Sequence, residues 1–500
     1  MPPYLTKSRY TMGIKCPRAL WLKSNRRDIE AASSEAQEAR FASGHEVGLL
    51  AHQLFPGGTE LVYADEGGLG KLVERTRQEI AAGTNTLYEA TFCHENVYIR
   101  ADIIHHGPKG WELHEVKNST SQKDEHAHDL AIQHWVITNT GLDLAYTGLV
   151  HINNGYIRRG AIDPDQLFSK KDLTAEIRAL QGEVLQNLER FRSLVQEKSE
   201  PDHPIGPHCF SPYQCYYHDH CRQDLPPASV FALWPSDARE PVELYRQGFK
   251  AITEVPDEKL SPKQQQLREC HRYNTHYANG KHQAFLKELT YPLALLDFAA
   301  TNMVAIPPLD GTKPYQSIPF QYSLRLLDSP TEEREHHHFL YTGNDDPRPD
   351  LLARLLQELP PKGTILAKDI AFIDYSSAYL ALKQLSINSP RQEKAIKAIQ
   401  RRLVNLTTPF ADLDVYLPTP NYPNTLKEVI PLIAPELDYA NQAAQDGGKA
   451  SRLWLALRDE ADQQLRKEII DRLGRICRLE TLAMRHLLGW LTRCIKKLRA

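Results

Sequence analysis

The sequence of 500 residues lacks the features that mark several classes of protein. Its longest apolar runs, such as PLALLDFAA, are far shorter than the roughly 20 residues of a membrane span, so no membrane partner is expected. The first ten residues, MPPYLTKSRY, lack the apolar stretch of a secretory signal, which predicts a cytoplasmic protein. A formal net charge of −3 excludes the overall basic field of an indiscriminate nucleic-acid binder, although a local basic channel remains compatible with it.

Cysteine is also scarce, and eight residues in the whole chain are too few for a disulfide scaffold. In a reducing compartment, cysteines that cluster indicate a metal site instead. Their placement is uneven, because Cys209, Cys215 and Cys221 lie close together in HCFSPYQCYYHDHC, whereas Cys16 lies far from them in KCPRALWL. Four thiolates of this kind can hold Zn²⁺ or a [4Fe–4S] cluster.

The length of the chain predicts two or three domains, because a single core rarely serves more than about 300 residues. Residues 1 to about 60 show helical periodicity, and residues from about 61 to 160 alternate as strands do. A charged helical stretch then leads to the segment that is rich in proline and cysteine. Residues 226–284 are expected to connect this part to residues 285–500, where helices and short strands alternate as in an α/β domain.

One segment, VYIRADIIHHGPKGWELHEVK, is typical of two strands joined by a turn. Glu115 and Lys117 are two residues apart and share a face of the second strand, and the hairpin can bring Asp102 opposite them. Two carboxylates at one point suit Mg²⁺ or Mn²⁺, and a lysine beside them can orient a water that attacks a phosphodiester. The alternative interpretation is a solvated cross-strand charge pair.

The neighbouring segments favour the metal site. GLLAH ends at His52 in a helical stretch, and LAIQHWVITNTGL places Gln133 on a helix after the hairpin. The order of these motifs resembles the RecB-like branch of the PD-(D/E)XK nucleases over roughly residues 1–225. The matching residues are Gly48, His52, Asp102, Glu115, Lys117 and Gln133, and Ile137 stands where the family has a tyrosine.

This resemblance implies a restriction-endonuclease-like α/β core that hydrolyses the phosphodiester bonds of DNA. It implies that Asp102 and Glu115 hold Mg²⁺ or Mn²⁺, with His52 as a further ligand. It also implies that Lys117 positions the attacking water, and that Gln133 belongs to the catalytic set.

The cysteines carry a second resemblance. One cysteine before the nuclease-like core and three after it are similar to the iron–sulfur members of the same branch, in which a cluster staples the two ends of the domain together. The resemblance implies a structural [4Fe–4S] cluster on the four cysteines Cys16, Cys209, Cys215 and Cys221. The spacing C-x5-C-x5-C departs from the family's C-x2-C-x5-C. Zinc remains the alternative, because three histidines lie among the cysteines: His208, His218 and His220.

The region from Tyr291 onward, YPLALLDFAATNMVAIPPLDGTKPYQSIPFQYSL, resembles the C-terminal domain of a bacterial family of unassigned function, which has a DnaQ-like, RNase H fold. The family motif D-F-E-T supplies two carboxylates for a two-metal site. Here the motif reads LLDFAATN, so Asp297 remains and the glutamate is missing. Other acids are altered as well, because Asn405, Glu480 and Asp374 stand where the family has Asp, Asp and Glu. The resemblance therefore implies a degenerate exonuclease domain.

These observations together predict a metal-dependent DNA nuclease with three parts. They are a nuclease domain with its cysteine site (1–225), a connection (226–284) and an inactive exonuclease-like domain (285–500). Two alternatives remain, a non-catalytic nucleic-acid-binding or assembly subunit, and a nuclease that acts on RNA. DNA repair and anti-phage defence, with protein partners in such a complex, are both compatible with this architecture. The sequence does not indicate an oligomeric state.

Overall fold

The computed structural model is a mixed α/β protein, as the alternating patterns of the sequence predict. It describes residues 4–31, 35–62, 68–211, 214–233, 239–368, 377–419, 425–437, 439 and 448–494. The contacts between residues divide the chain into two units. The first unit comprises Met1–Gln223 and Val304–Tyr315, and the second comprises Asp224–Met303 and Gln316–Ala500.

The first unit is built on one sheet with helices on both faces. Its strands are β1 (Leu5–Thr6), β2 (Thr59–Glu60), β3 (Thr86–His94), β4 (Val97–Gly107), β5 (Gly110–Lys117), β6 (Leu144–Ile152) and β7 (Phe168–Asp172). Its helices are α1 (Lys7–Lys15), α2 (Pro17–Asn25), α3 (Glu35–Ala51), α4 (Leu69–Ala81), α5 (Asp124–Asn139), α6 (Pro164–Leu167), α7 (Thr174–Ala179), α8 (Gln181–Leu194) and α9 (His218–Arg222). A 3-10 turn, His52–Leu54, continues directly from α3.

The strands of this sheet follow the order β2-β3-β4-β5-β6-β7, and β1 also pairs with β4. Strands β3, β4 and β5 form an antiparallel meander. Helix α5 then crosses the sheet, and β6 returns parallel to β5. A crossover is needed here because a tight turn cannot join two parallel strands.

Apolar side chains fill both faces of the sheet. On one face α5 is buried along most of its length and packs with Leu72 of α4 and Phe191 of α8. This location explains why α5 is apolar on nearly all sides, since it is enclosed by the sheet and other helices. On the other face, Val47 and Ala51 of α3 pack against Ile103.

The segment Val304–Tyr315 belongs to the first unit although its sequence lies far from the other residues of that unit. The backbone N–H of Arg158 donates a hydrogen bond of 3.0 Å to the carbonyl oxygen of Thr312. The Tyr315 hydroxyl donates one of 2.5 Å to the side-chain oxygen of Asn118, which directly follows β5. The segment therefore braces the end of that strand.

The second unit contains a five-stranded mixed sheet and a separate pair of short strands. The strands are β8 (Tyr277–Ala278), β9 (Leu293–Ala300), β10 (Pro319–Leu327), β11 (Glu333–Leu340), β12 (Ile365–Ala367), β13 (Leu403–Asn405) and β14 (Val415–Tyr416). The helices are α10 (Arg239–Arg246), α11 (Pro262–Tyr273), α12 (His282–Glu288), α13 (Arg348–Glu358), α14 (Ser377–Asn388), α15 (Glu393–Gln400), α16 (Thr408–Ala411), α17 (Leu426–Ile433), α18 (Lys449–Asp459) and α19 (Gln463–Arg493).

The main sheet of this unit has the order β11-β10-β9-β12-β13, so that β9 lies at its centre. Strands β9, β10 and β11 are antiparallel, and β12 and β13 run parallel to β9. One face packs against α13, α14 and α15, and the other packs against α17 and α19.

Helix α19 is 31 residues long and amphipathic. Its buried positions, which include Leu473, Cys477, Met484 and Leu488, recur every three to four residues as expected for a helix on the surface of a core. In the part of the chain that the structure describes, no helix is both long enough and apolar enough to cross a membrane.

Candidate functional site

The candidate site lies beside the middle of β4 and the C-terminal end of β5. These strands pair from Ile103 opposite His114 down to the turn, and this register places Asp102 across from Glu115. One carboxylate oxygen of Asp102 accepts a hydrogen bond of 2.7 Å from the backbone N–H of Val116. The bond holds Asp102 against the strand that carries Glu115, and both carboxyl groups line one cleft.

Strand β3 is irregular where it passes Asp102. Leu87 and Ala90 enter the same core cluster although they are three residues apart, so the normal alternation of faces is interrupted between them. Within this interval Glu89 has a φ of +58°, a region that residues other than glycine rarely adopt. Glu89 lines the same cleft as Asp102. Backbone strain of this kind is concentrated at functional sites.

Helix α5 supplies two further polar side chains, Asp129 and Gln133, which are four residues apart and therefore on one face. The Gln133 side-chain amide donates hydrogen bonds to Glu115 Oε2 at 2.7 Å and to the backbone carbonyl of Asp129 at 3.2 Å. Gln133 is fully buried, and its Oε1 accepts no hydrogen bond from the described residues. A donor on a bound ligand would satisfy this buried acceptor.

Two lysines meet the carboxylates. The Lys117 ammonium lies 2.6 Å from Glu115 Oε1 and 2.5 Å from Asp129 Oδ2. The Lys7 ammonium lies 3.0 Å from Glu115 Oε1 and 3.7 Å from Asp129 Oδ1. Both ammonium groups therefore bridge the carboxylate of a strand and the carboxylate of a helix.

The start of α1 brings Lys7 into this site. Leu5 pairs with Val97 of β4, so β1 fixes the chain immediately before the helix. Thr6 caps α1, and its hydroxyl accepts a hydrogen bond of 3.3 Å from the backbone N–H of Arg9. Lys7 is therefore the first residue of a helix whose position is set by the sheet.

The electrostatic environment shifts the pKa values of Glu115 and Asp102 in opposite directions. Burial opposes ionisation of Glu115, but the ammonium groups of Lys117 and Lys7 outweigh it and hold the pKa of Glu115 well below its ordinary range. Burial, and then the charge of Glu115, raise the pKa of Asp102 to about 7. Although burial lowers the pKa of Lys117, the carboxylates of Asp129 and Glu115 hold it well above the ordinary value. Near neutral pH, Glu115 and Lys117 are charged and Asp102 is close to its titration point.

His52 lines the same cleft, which has a volume of about 300 Å³. Its ring stacks on Tyr88 with 3.8 Å between the centroids, and burial lowers its pKa, so the imidazole is neutral at pH 7. Among the described residues, its nitrogens do not join Asp102 and Glu115 in a group whose ligand atoms all lie within 4.8 Å of one another. His52 therefore forms part of the wall of the cleft. The side chains that contact one another directly are those of β5, α1 and α5.

The donor set suits a hard divalent cation. The carboxylates of Asp102, Glu115, Glu60 and Glu89 all line the cleft, and carboxylate oxygens are the ligands that Mg²⁺ and Mn²⁺ prefer. The acids of the cleft outnumber its lysines. A cation would also favour the ionised form of Asp102, whose environment otherwise opposes it.

Sequence patterns alone missed Lys7 and Asp129. No motif marks Lys7, because it lies 108 residues from Glu115 and reaches it only through the pairing of β1 with β4. Asp129 carried a weak signal, since it lies one helical turn before Gln133 on a helix already assigned to the site.

The four predicted cysteines gather around one pocket of the first unit. Cys16 caps helix α2, where its sulfur accepts a hydrogen bond of 3.5 Å from the backbone N–H of Ala19. The backbone N–H of Cys215 donates to the carbonyl oxygen of Cys209 at 2.9 Å, and the third cysteine of the segment, Cys221, lies on α9. None of the cysteines is in a disulfide.

Burial and the neighbouring thiols both change the pKa of the cysteines in this pocket. Burial, with the neighbouring thiols adding to it, raises the pKa of Cys16 to about 11 and that of Cys221 to about 12. A buried group of thiols that resists ionisation is the donor set that a metal centre would stabilise as thiolates. The residues present therefore fit a thiolate-bound metal or cluster.

The spacing of the ligand atoms bears on which group would fit. Among the described residues, Cys16, His203 and His208 have ligand atoms within 4.8 Å of one another, and the other three cysteine sulfurs stay outside that group. A tetrahedral zinc site with Zn–S bonds of about 2.3 Å would bring four sulfurs to about 3.8 Å from each other. The four sulfurs thus lie farther apart than the ligands of one zinc ion. His203, which no motif singled out, offers zinc a different donor set.

The second unit places Asp297 at the centre of its sheet, on β9, and Glu480 on α19. Lys368, which directly follows β12, lies 3.8 Å from Asp297 Oδ1 and contacts Glu480 Oε2. Asn405 lies at the end of β13, where its side-chain oxygen accepts a hydrogen bond from the backbone N–H of Thr407. Asp374 lies outside the described residues.

A family model described as a domain of unknown function, DUF2779, matches residues 294–421. The matched part begins within β9 and includes Asp297, Lys368 and Asn405. It also includes the segment Val304–Tyr315, which belongs to the first unit. No curated protein matches the chain.

Proposed function

We propose that the protein is a metal-dependent nuclease that hydrolyses DNA phosphodiester bonds at the cleft of Asp102, Glu115 and Lys117. The observation that carries this proposal is the meeting of these three side chains with Gln133 at one cleft, on two adjacent strands and the following helix. The order α4-β3-β4-β5-α5-β6, with β5 and β6 parallel, supports it, because this is the order that the PD-(D/E)XK resemblance implies.

Asp102 and Glu115 would hold Mg²⁺ or Mn²⁺ in this cleft, and the neutral imidazole of His52 is available as a further donor. When bound, the cation supplies Lewis acidity toward the phosphate oxygens and lowers the pKa of a water. Ionised Glu115 is ready to bind it at any pH near neutrality. Without metal the pKa of Asp102 is raised to about 7, and because a cation favours its ionised form, metal binding is expected to strengthen as the pH rises.

The protein's own groups provide orientation and charge. Gln133 donates to Oε2 of Glu115, both ammonium groups donate to Oε1, and Lys7 also donates to Oε2 at 3.3 Å. Lys117, held by Asp129, donates hydrogen bonds that can orient the attacking water and stabilise the negative charge that develops on the phosphate. Lys7 adds a second positive charge at the same wall.

The cysteine pocket would hold a structural [4Fe–4S] cluster, with zinc as the alternative. The gathering of the four cysteines around one pocket supports a site with four thiolate ligands. An anaerobic preparation that is brown, absorbs near 400 nm and contains about four iron atoms per chain is the expected result. A colourless preparation with stoichiometric zinc would replace the cluster by zinc on Cys16, His203 and His208.

The second unit is proposed to be a degenerate exonuclease-like domain of the RNase H type, which contacts nucleic acid without cutting it. The sheet order β11-β10-β9-β12-β13 supports this assignment, with an antiparallel meander β9-β10-β11 on one side of the central strand and the parallel strands β12 and β13 on the other. So does the alanine at position 299, where the family motif has its second carboxylate. Repair or defence against phage, with partners in such a complex, is the biological context that this architecture suggests.

The test is a cleavage assay with single- and double-stranded DNA and RNA, each with Mn²⁺ or EDTA. We expect DNA cleavage with Mn²⁺, none with EDTA, and a loss of about 1,000-fold or more in the Lys117→Ala variant, whose fold and DNA binding remain intact. Cleavage of RNA alone would change the substrate class. Undiminished cleavage by purified Lys117→Ala would refute the assignment of the site.

A further inference from the structure

The centre of the second unit is formed by three elements of its own core. Asp297 on β9 is 5% exposed and Glu480 on α19 is 8% exposed. Helix α19 is fixed against β10 by a hydrogen bond of 2.7 Å between the hydroxyls of Thr481 and Ser323. Because Thr481 follows Glu480 directly, this contact sets where the Glu480 carboxyl group lies.

Lys368 enters between these two acids from the parallel neighbour of β9. Ile365 and Leu366 of β12 pair with Ala294 and Leu295, and Lys368 lies two residues after the second pair. Its ammonium is 3.8 Å from Asp297 Oδ1 and makes direct contact with Glu480 Oε2, and the lysine side chain is only 12% exposed.

Tyr439 completes the arrangement, since its hydroxyl donates a hydrogen bond of 2.6 Å to the same Glu480 oxygen. Burial raises the pKa of Tyr439, so the hydroxyl stays protonated and can act only as a donor toward this carboxylate. Glu480 thus accepts from one cationic and one neutral donor, as a buried carboxylate requires.

Two of the described positions beside these acids carry no charge. Ala299, two residues after Asp297, carries no charge, and Asn405 uses its side-chain oxygen to accept hydrogen bonds from the backbone and hydroxyl of Thr407. Two nearly buried carboxylates at one point require a positive charge, since burial and mutual repulsion both oppose their ionisation. Lys368 supplies that charge from within the chain.

We propose that the Lys368 ammonium is a built-in counter-ion that takes the place of a divalent cation between Asp297 and Glu480. The second unit would therefore hold its centre together without metal. Only the statement that a divalent cation would otherwise bind between Asp297 and Glu480 rests on the proposed function. The contacts of Lys368 do not depend on any nuclease activity, and the experiment measures the stability of the second unit itself.

The test uses full-length protein and hydrogen–deuterium exchange of the peptide that covers Leu293–Ala300. In Lys368→Met, exchange of this strand should accelerate at least about tenfold, because two buried carboxylates lose their counter-ion. Adding Glu480→Gln should recover most of the protection, and Lys368→Arg should stay near wild type. Lys397→Met, which removes an exposed ion pair with Glu393 in the same unit, is the matched control and should change exchange less than about twofold.

Three results would overturn the proposal. The first is a Lys368→Met variant that exchanges like the Lys397→Met control. The second is a failure of Glu480→Gln to recover protection, including the case in which Lys368→Met unfolds the unit. The third is slower exchange of Leu293–Ala300 on addition of Mn²⁺ to the wild type, if Asp297→Asn abolishes that effect. None of these readings depends on DNA cleavage, so they separate this proposal from that of the nuclease site.

Discussion

Both units place carboxylates and a lysine beside their central strands, and the two centres differ in solvent access. In the first unit the side chains of Lys7 and Lys117 are 23% and 26% exposed and border an open cleft. The acids there outnumber the lysines, since four carboxylates line the cleft and Asp129 lies beside it. In the second unit Lys368 is 12% exposed and lies between two acids.

This difference shows how a lysine among carboxylates can have two roles. Where solvent has access, the negative potential of the excess carboxylates remains available to a divalent cation and a substrate. Where one ammonium lies between two nearly buried carboxylates and little solvent enters, it offsets one of their two charges and holds them together. We therefore infer that the first centre is built for ligands and that the second is built for stability.

The largest effect is expected at the cysteine site, where the proposed cluster would make the stability of the first unit depend on a cofactor. Cys215→Ser should remove the iron and lower the melting temperature of the first unit by roughly 10 °C or more, because cofactor binding contributes to folding energy. Calorimetry and iron analysis measure both effects. Cys93→Ser, in the same unit but outside the pocket, is the control. An equal fall in melting temperature in that variant would contradict the assignment of a cluster to the four cysteines.

The next contrast concerns the two lysines of the first centre. Lys7→Ala should reduce kcat about 10- to 100-fold with little change in KM, since Lys7 holds Glu115 and Asp129 and acts through them. Lys7→Arg should recover part of the activity, because it restores the charge. The comparison between the units would weaken if Lys7→Ala cleaved as the wild type does, since Lys7 would then be only another internal counter-ion.

The smallest effect is on stability and depends on pH. The pKa of Asp102 is about 7 in the folded protein, above the value of about 3.9 for an unfolded aspartate. Folding therefore takes up a proton between these values, and this group's contribution to stability falls as the pH rises from about 4 to about 7. In EDTA, Asp102→Asn should raise the free energy of unfolding by at least about 1 kcal/mol at pH 8, and by less at pH 5.

Urea denaturation at the two pH values measures this effect. Asp172→Asn is a control of opposite sign, because hydrogen bonds from Thr174 lower the pKa of Asp172, and its loss should destabilise the protein at pH 8. A loss of stability in Asp102→Asn at pH 8 would mean that the Asp102 carboxylate stabilises the fold through its contacts, as is proposed for Asp297 and Glu480.

The sequence was sufficient for the parts of the fold that depend on local patterns. Alternating residues and the turn GPKG predict the hairpin of β4 and β5. The apolar segment after this hairpin, LAIQHWVITNTGL, predicts the helix that carries Gln133. The irregularity at Glu89 could not be foreseen, because a positive φ at a residue other than glycine leaves no mark in composition. Lys7 was missed for a related reason, since its place depends on the pairing of strands distant in sequence.

The second unit shows the same limit. Comparison with the family motif identifies Asp297 and Glu480. Ala299, in place of the glutamate of that motif, predicts a site without exonuclease activity. Lys368, which lies between these acids, occupies no position of that motif. Its location depends on the register between β12 and β9, which is a tertiary feature. Motif comparison therefore identifies the two acids of this centre but not the lysine between them.

The most direct test of the account is a matched pair of isosteric variants in the full-length chain. Glu115→Gln and Glu480→Gln each remove one buried carboxylate, and cleavage of single-stranded DNA with Mn²⁺ measures the consequence. The account predicts that Glu115→Gln loses about 1,000-fold or more in kcat and that Glu480→Gln stays within about threefold of the wild type. Equal cleavage by both variants, or loss of cleavage confined to Glu480→Gln, would contradict it.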